Sequence, residues 1–250
     1  FERRKKLLLH ACEVNCSLFL SGLKGTDNPA SIMIAAELLK QYGSRHYIDI
    51  LADKVFNPDF RERVHEHYFE IYEETVECIS LRGSDIALEK LNAEMLRRIT
   101  DESYFTLILP NLPVRGEFFF IPSLLKILKD DNFSQPALLR ETFERFPASQ
   151  FIEELMEILK DTDGRFSPSV KKEAFRIIGE LKMPCCLQII LENLKLLENN
   201  EQKEFAYILK SFDEKAFIDR TSGLLKTCDS EVKASIISAL PATGLKQFTN

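Results

Sequence analysis

The amino-acid sequence predicts an all-α fold built from repeated helical pairs. Apolar residues recur every three or four positions, for example at Ile34, Leu38 and Tyr42, which is the period of an amphipathic helix. No segment keeps the two-residue alternation that a half-buried strand requires. Glycine and proline number only 9 and 10 in 250 residues, and most of them stand between apolar runs. Helices joined by short turns are therefore expected along the whole chain.

Three helix starts share one local pattern, a capping side chain followed by proline. The pairs are Asn28-Pro29, Asn57-Pro58 and Ser167-Pro168. The Asn or Ser side chain can accept a hydrogen bond from an amide of the first turn, and proline loses nothing at the first helical position because its missing N–H would be unpaired there. A helix is expected to begin at each of these prolines.

Breaks that follow an apolar residue recur at intervals of 28 to 40 residues. Two short helices with two turns have about this length, so the spacing predicts about seven antiparallel helical pairs. The breaks fall at Gly43, Gly83, Pro113, Pro147, Gly179, Asp213 and Pro241. Second helices of the pairs are expected at 45–56, 117–129, 151–160, 184–198 and 215–227.

Two segments resemble the first helix of a HEAT repeat. One is 167–174, leading to Ile178-Gly179, and the other is 229–233, leading to Leu240-Pro241. Each has an apolar residue, another four positions later, a third at eight and a breaker at nine, although the usual Arg after Val is missing. The resemblance implies a single right-handed α-solenoid over residues 1–250, best matched in the C-terminal half. Residues 57–112 fit poorly and are expected to form an irregular repeat or an inserted helical region.

A stacked array of this kind leaves an extended surface suited to binding, since one helical pair cannot bury its apolar face alone. The sequence therefore predicts a protein–protein interaction scaffold or the regulatory module of a larger protein. The start at Phe1, without Met, leads us to expect a fragment of a longer chain. The run Phe118-Phe119-Phe120 is interpreted as core, with an exposed anchor for a partner as the alternative.

Residues that could carry catalysis are few, so no enzymatic activity, cofactor or metal is expected. Glu62 and His65 have the i, i+3 spacing of a di-iron helix, but a second Glu-x-x-His segment is missing. His67, Glu70 and Glu74 share one helix side and are interpreted as surface residues, with an adventitious metal site as the alternative. The other histidines are His10 and His46. The competing hypothesis is a HEAT-like enzyme that modifies a nucleobase or a protein side chain.

Charge and cysteine usage narrow the classes of partner and compartment. A net charge of −6 and the absence of Trp make nucleic acid an unlikely main partner. No apolar stretch reaches the ~18 residues of a membrane span, while the basic run Arg3-Arg4-Lys5-Lys6 is interpreted as a membrane-proximal flank or, alternatively, a solvated first turn. The cysteines are expected to be buried thiols of a cytoplasmic protein. They are Cys12, Cys16, Cys78, Cys185, Cys186 and Cys228.

One long helix, expected from Pro58 to about Arg82, has an acidic stripe. The stripe consists of Asp59, Glu62, Glu66, Glu70, Glu73, Glu74 and Glu77. At ~100° per residue it lies opposite an apolar face formed by Val64, Tyr68, Ile71, Thr75 and Ile79. Only Arg63 within the stripe is close enough to relieve the repulsion between these carboxylates. The stripe is either a solvated or neutralised face or, in the sharper hypothesis, the partner-binding surface for a basic helix or peptide.

Overall fold

The computed structural model describes residues 20–131 and 133–244, and every regular element in those ranges is a helix. The all-α prediction is therefore confirmed for this part of the chain. Internal contacts divide the protein into an N-terminal unit that ends at Ser123 and a C-terminal unit that begins at Leu124. Among the described residues, none of the helices is both long and apolar enough to cross a membrane.

The N-terminal unit contains the helices that carry the acidic stripe and the helices that pack against them. They are α1 (Pro29–Tyr42), α2 (Arg45–Val55), α3 (Pro58–Val64), α4 (Tyr68–Arg82), α5 (Asp85–Arg97) and α6 (Glu102–Asn111), and α7 (Glu117–Leu128) crosses the unit boundary. Short 3₁₀ turns occupy Gly22–Lys24, His65–His67 and Val114–Gly116. Helix α4 packs between α1 and α6, and α2 packs against α5. Each of these contacts joins helices that are two or three places apart in the chain.

Helices α1 and α4 run parallel. Met33, in the first half of α1, lines the same groove as Glu70 in the first turn of α4. Toward the other end, the Lys40 ammonium lies 2.5 Å from Glu74 Oε2, and Arg82 Nε donates to the Lys40 carbonyl over 3.2 Å. Both helices therefore begin at the same end of the pair and end at the opposite one.

The C-terminal unit repeats the same neighbour pattern. Its helices are α8 (Pro136–Glu144), α9 (Ile152–Lys160), α10 (Pro168–Leu181), α11 (Leu187–Asn193), α12 (Asn199–Leu209), α13 (Glu214–Thr227) and α14 (Ser230–Thr243). Short 3₁₀ turns lie at Ala148–Gln150, Pro184–Cys186 and Leu194–Leu196. Helix α8 packs against α10, α9 against α11, α11 against α13, and α12 against α14.

The three cap-and-proline helix starts are confirmed. Asn28 accepts a hydrogen bond from the Ser31 amide, Asn57 from the Asp59 amide and Ser167 from the Val170 amide. The break at Gly43 is also confirmed, because this glycine ends α1 in the left-handed conformation at φ 65°.

Two predicted breaks are wrong, since Gly179 lies inside α10 and Pro241 inside α14. A Cβ at Gly179 would be 2.2 Å from the Phe205 ring, so this glycine lets the Phe205 ring pack directly onto the α10 backbone rather than ending the helix. Pro241 occupies the last turn of α14, and the helix ends at Gly244 with φ 68°. Pro241 has no N–H to donate to the preceding turn, so it costs α14 one hydrogen bond near its end but does not stop the helix. The predicted helix 184–198 is likewise interrupted, by 3₁₀ turns at both ends of α11.

The predicted continuous helix from Pro58 to Arg82 is also wrong, because the 3₁₀ turn His65–His67 separates α3 from α4. None of the three side chains of that turn is buried, so packing does not hold the segment in α geometry. Helix α4 is fixed at its start by Tyr68, whose hydroxyl donates to the Val55 carbonyl over 3.0 Å.

The cysteine prediction is correct for some positions and wrong for others. Cys78 and Cys186 are buried free thiols, whereas Cys228 is half-buried. Cys185 is exposed although it shares the 3₁₀ turn before α11 with Cys186, because adjacent residues of a turn point in different directions. Cys12, Cys16, His10 and the basic run 3–6 lie outside the described residues.

Candidate partner-binding surface

The acidic stripe follows α3, the His65–His67 turn and α4. The apolar face predicted on the opposite side is confirmed. Val64, Tyr68, Ile71, Thr75 and Ile79 are all buried. The seven acids differ in exposure. Asp59, Glu62, Glu66, Glu70 and Glu73 are exposed, and Glu74 and Glu77 are half-buried.

Glu74 and Glu77 are neutralised by Lys40 of the neighbouring helix α1. The Lys40 ammonium lies 2.5 Å from Glu74 Oε2, 3.1 Å from Glu77 Oε2 and 3.2 Å from Glu37 Oε2. Partial burial lowers the pKa of Lys40, but the three carboxylates outweigh this and hold the pKa above its ordinary value. These two acids therefore join α4 to α1.

Arg63 does not neutralise the stripe as the sequence suggested. Its Nε lies 2.8 Å from Asp27 Oδ2, and the Lys54 ammonium lies 2.9 Å from the other oxygen of the same carboxylate. The hydrogen bond from Lys54, aided by Arg63, holds the pKa of Asp27 below its ordinary value. Arg63 is thereby turned toward the loop that precedes α1.

We define the acidic face as Glu66, Glu70 and Glu73. No Lys or Arg of the described residues lies within ion-pair distance of these carboxylates. The nearest basic group is His67, whose Nδ1 is 3.6 Å from Glu70 Oε2. Phe69 is 42% exposed beside them and contacts Tyr104 edge-on, with 5.5 Å between ring centroids. The face therefore offers concentrated negative charge next to an aromatic ring.

A groove of about 330 Å³ adjoins the acidic face, between the beginnings of α1 and α4. Pro29, Ala30 and Met33 supply apolar walls, and His67 and Glu70 lie on the α4 side. Sequence reasoning missed this groove, because it exists only where the two helix starts meet. The one available signal was that Met33 is apolar yet lies ~100° around α1 from Ile34 and outside the row that Ile34 and Leu38 form.

The histidines at the break between α3 and α4 are surface residues. His65 and His67 are both exposed. In the part of the chain that the structure describes, no three His, Cys, Asp or Glu side chains converge as metal ligands. The charged groups of this region are thus arranged either in interhelical ion pairs or toward solvent.

The chain matches no protein-family model, and no curated protein matches its sequence.

Proposed function

We propose that this chain is a HEAT-like helical-repeat module that holds a protein partner. The support is the neighbour pattern within each unit, in which α1 contacts α4, α2 contacts α5, α8 contacts α10 and α12 contacts α14. Contacts between equivalent helices of successive pairs are what a stacked repeat requires. About seven such pairs in one right-handed array would give a radius of gyration clearly above the ~18 Å of a compact domain of this length. Small-angle scattering that gave ~18 Å would contradict the array.

The proposed contact is the acidic face together with the adjoining groove. The observation that carries it is that Glu66, Glu70 and Glu73 stay exposed without a Lys or Arg partner beside an apolar groove, whereas Glu74 and Glu77 on the same helix are bound by Lys40. A basic amphipathic helix or peptide fits both features. Its apolar side chain would enter the groove, and its Lys and Arg residues would meet the carboxylates.

Binding rather than catalysis is proposed because the buried charges of the described residues serve structural ion pairs. Glu94 is bound by Arg97 and Arg98, and Asp161 by Arg165 and Lys171. Both buried carboxylates thus have structural partners within the fold, and neither needs a bound substrate to compensate its charge.

The buried thiols support the proposed cytoplasmic location. Burial raises the pKa of Cys78 to about 12 and also that of Cys186 to about 12. Both are therefore protonated, unreactive core residues at neutral pH. Free thiols of this kind are typical of a reducing compartment.

Charge reversal of the acidic face tests the proposed contact. The site variant changes Glu66, Glu70 and Glu73 to Lys. A matched control changes Glu153, Glu157 and Asp219 to Lys, which are exposed acids of the C-terminal unit and add the same charge. Each protein serves as bait in native lysate, and retained proteins are quantified by mass spectrometry. We expect a partner that the wild type and the control retain and that the site variant and high salt release.

Two checks make the comparison decisive. Circular dichroism should show the same helix content and thermal midpoint for both triple variants, since surface substitutions change stability by about 0.5 kcal/mol or less. A partner held equally by wild type and site variant would reject the acidic face as the contact. A partner released equally by both triple variants would indicate dependence on total charge rather than on this face.

A further inference from the structure

Three turns between helices lie side by side at one edge of the N-terminal unit. They are residues 42–45, 82–85 and 112–117. Arg82 Nε donates to the Lys40 carbonyl over 3.2 Å, which connects the first turn to the second. Arg115 Nη1 donates to the Gly83 carbonyl over 2.6 Å, which connects the second to the third. We call this region the turn edge.

Exposed large apolar side chains of the N-terminal unit concentrate at the turn edge. Five of the six among its described residues lie in these turns or within two residues of a helix end beside them, and Phe69 is the sixth. The five are Tyr42 (56% exposed), Leu81 (63%), Ile86 (55%), Val114 (43%) and Phe118 (77%). Phe118 belongs to the Phe run at the start of α7, of which Phe120 is buried. Exposed apolar groups gathered in this way indicate an interaction surface.

The arginines of the turn edge lack a carboxylate partner, as do Lys24 and Arg61 but no other described Lys or Arg of this unit. Arg45, Arg82 and Arg115 are exposed, and no carboxylate of the described residues lies within ion-pair distance of them. By contrast, carboxylates bind the basic groups Lys40, Lys54, Arg63, Lys90, Arg97 and Arg98. Burial, together with the nearby charge of Arg45, lowers the pKa of Arg115.

Free donors remain on these guanidinium groups. Of the five N–H donors that a guanidinium has, Arg82 uses one, on the Lys40 carbonyl, and Arg45 donates no hydrogen bond to the described residues. Arg115 already donates to carbonyls at the end of α4, which are those of Ile79, Ser80 and Gly83. Helix-end carbonyls carry only partial negative charge, so the arginines keep a net positive charge, and guanidinium binds phosphate oxygens well. Phosphate oxygens are therefore suitable acceptors for the remaining N–H donors of these arginines.

Two of the acids near the turn edge are held at a helix start. Asp85 begins α5 and Glu117 begins α7, where the positive end of the helix dipole offsets a carboxylate. Asp49 is half-buried and accepts a hydrogen bond from the N-cap residue Ser84. The acidic face is further away. Its nearest member, Glu73, is 8 residues before Leu81 in α4, a rise of ~12 Å that exceeds the Debye length of ~8 Å.

We propose that the turn edge binds the surface of an anionic phospholipid bilayer, with its exposed apolar side chains inserted at the headgroup boundary and its arginines on lipid phosphates. The edge is made of turns and helix ends, while two grooves of this unit lie elsewhere, between Ala52 and Arg97 and between Pro29 and Glu70. A peptide needs a groove in which to lie, whereas a lipid interface accepts protruding apolar groups flanked by basic ones.

Sedimentation of the whole chain with lipid vesicles tests this inference. The probes are vesicles of phosphatidylcholine alone and of phosphatidylcholine with phosphatidylserine. We expect binding to the second kind only, weakened at least about tenfold in L81S/F118S, which removes two apolar anchors. The substitution Arg45→Gln should weaken it about fivefold. Neither change removes a hydrogen bond that holds the turns together.

Three controls keep the outcome unambiguous. The variant Y207S/I237S removes exposed apolar residues of the C-terminal unit and Lys203→Gln removes an exposed cation there, and both should bind as the wild type does. A third variant changes Arg3, Arg4, Lys5 and Lys6 to Gln. Any one of three results would overturn the inference. These are equal binding to both vesicle types, wild-type binding by L81S/F118S, and binding that is lost only when residues 3–6 are changed.

Discussion

Glu94 and Arg98 form a buried ion pair that joins three helices of the N-terminal unit. Arg98 Nε donates to Glu94 Oε1 over 2.9 Å, and Glu94 is only 3% exposed. Arg97 binds the other carboxylate oxygen over 2.5 Å, and the Tyr72 hydroxyl of α4 donates to Glu94 over 3.4 Å. Arg98 also covers the Tyr104 ring of α6 at 4.3 Å. Burial, with the nearby charge of Glu94, raises the pKa of Tyr72.

The substitution Glu94→Ala should lower the free energy of unfolding by about 1.5–3 kcal/mol, because it removes the nearer carboxylate from the buried Arg98 guanidinium and leaves it only Asp101, at 3.5 Å. Urea denaturation monitored by circular dichroism measures the change. The matched control is Glu89→Ala on the exposed side of the same helix, which should change stability by no more than about 0.5 kcal/mol. Equal small losses in both variants would show that the ion pair adds nothing to stability.

Gly179→Ala should lower the free energy of unfolding by about 1–3 kcal/mol, because its methyl group would overlap the Phe205 ring. That ring is itself packed on Phe175, with 4.7 Å between centroids, so it cannot move away freely. Gly223→Ala is the opposite case, since nothing lies within 4 Å of a Cβ placed there. In the middle of α13, this change should stabilise the protein by about 0.5–1 kcal/mol. The same sign for both variants would contradict the described packing of α10 and α12.

Asp161 should make the stability of the C-terminal unit depend on pH. Burial raises the pKa of Asp161, but hydrogen bonds from Lys171, the Phe166 amide and Arg165 outweigh it and hold the pKa well below the ordinary value. The ionised carboxylate therefore stabilises the fold above the unfolded pKa of ~3.9, and this contribution is lost as pH falls through the folded pKa.

We accordingly expect Asp161→Asn to lower the thermal midpoint at pH 7, with the difference from wild type shrinking below about pH 4. The control is Asp163→Asn, an exposed position in the same loop, which should leave the midpoint unchanged at both pH values. A difference that stayed constant between pH 7 and pH 3 would show that the charge of Asp161 does not contribute.

The sequence was informative where neighbouring residues decide the structure. Asn28 and Ser167 cap helices within three residues of themselves, so both helix starts could be predicted. Gly179 was misinterpreted because its role depends on Phe205 of α12. A glycine that ends a helix and one that admits a close neighbour have the same appearance in a sequence.

The acidic stripe shows the same limit at the candidate site. Its apolar back could be predicted from the helical period, and Val64 and Tyr68 are buried as expected. Which acids are bound and which are exposed could not be predicted, because this depends on Lys40, which is 34 residues from Glu74. Long-range packing thus decides which carboxylates remain available to a partner.

The proposal that the acidic face selects a basic partner is tested most directly by the dissociation constant of the captured partner for three purified proteins. These are the wild type, the triple reversal of Glu66, Glu70 and Glu73, and the matched reversal of Glu153, Glu157 and Asp219. We predict that the first reversal weakens binding at least about tenfold, or ~1.4 kcal/mol, and more at low salt, while the second changes it less than about twofold. Equal dissociation constants for all three proteins, or equal weakening by both reversals, would contradict the proposal.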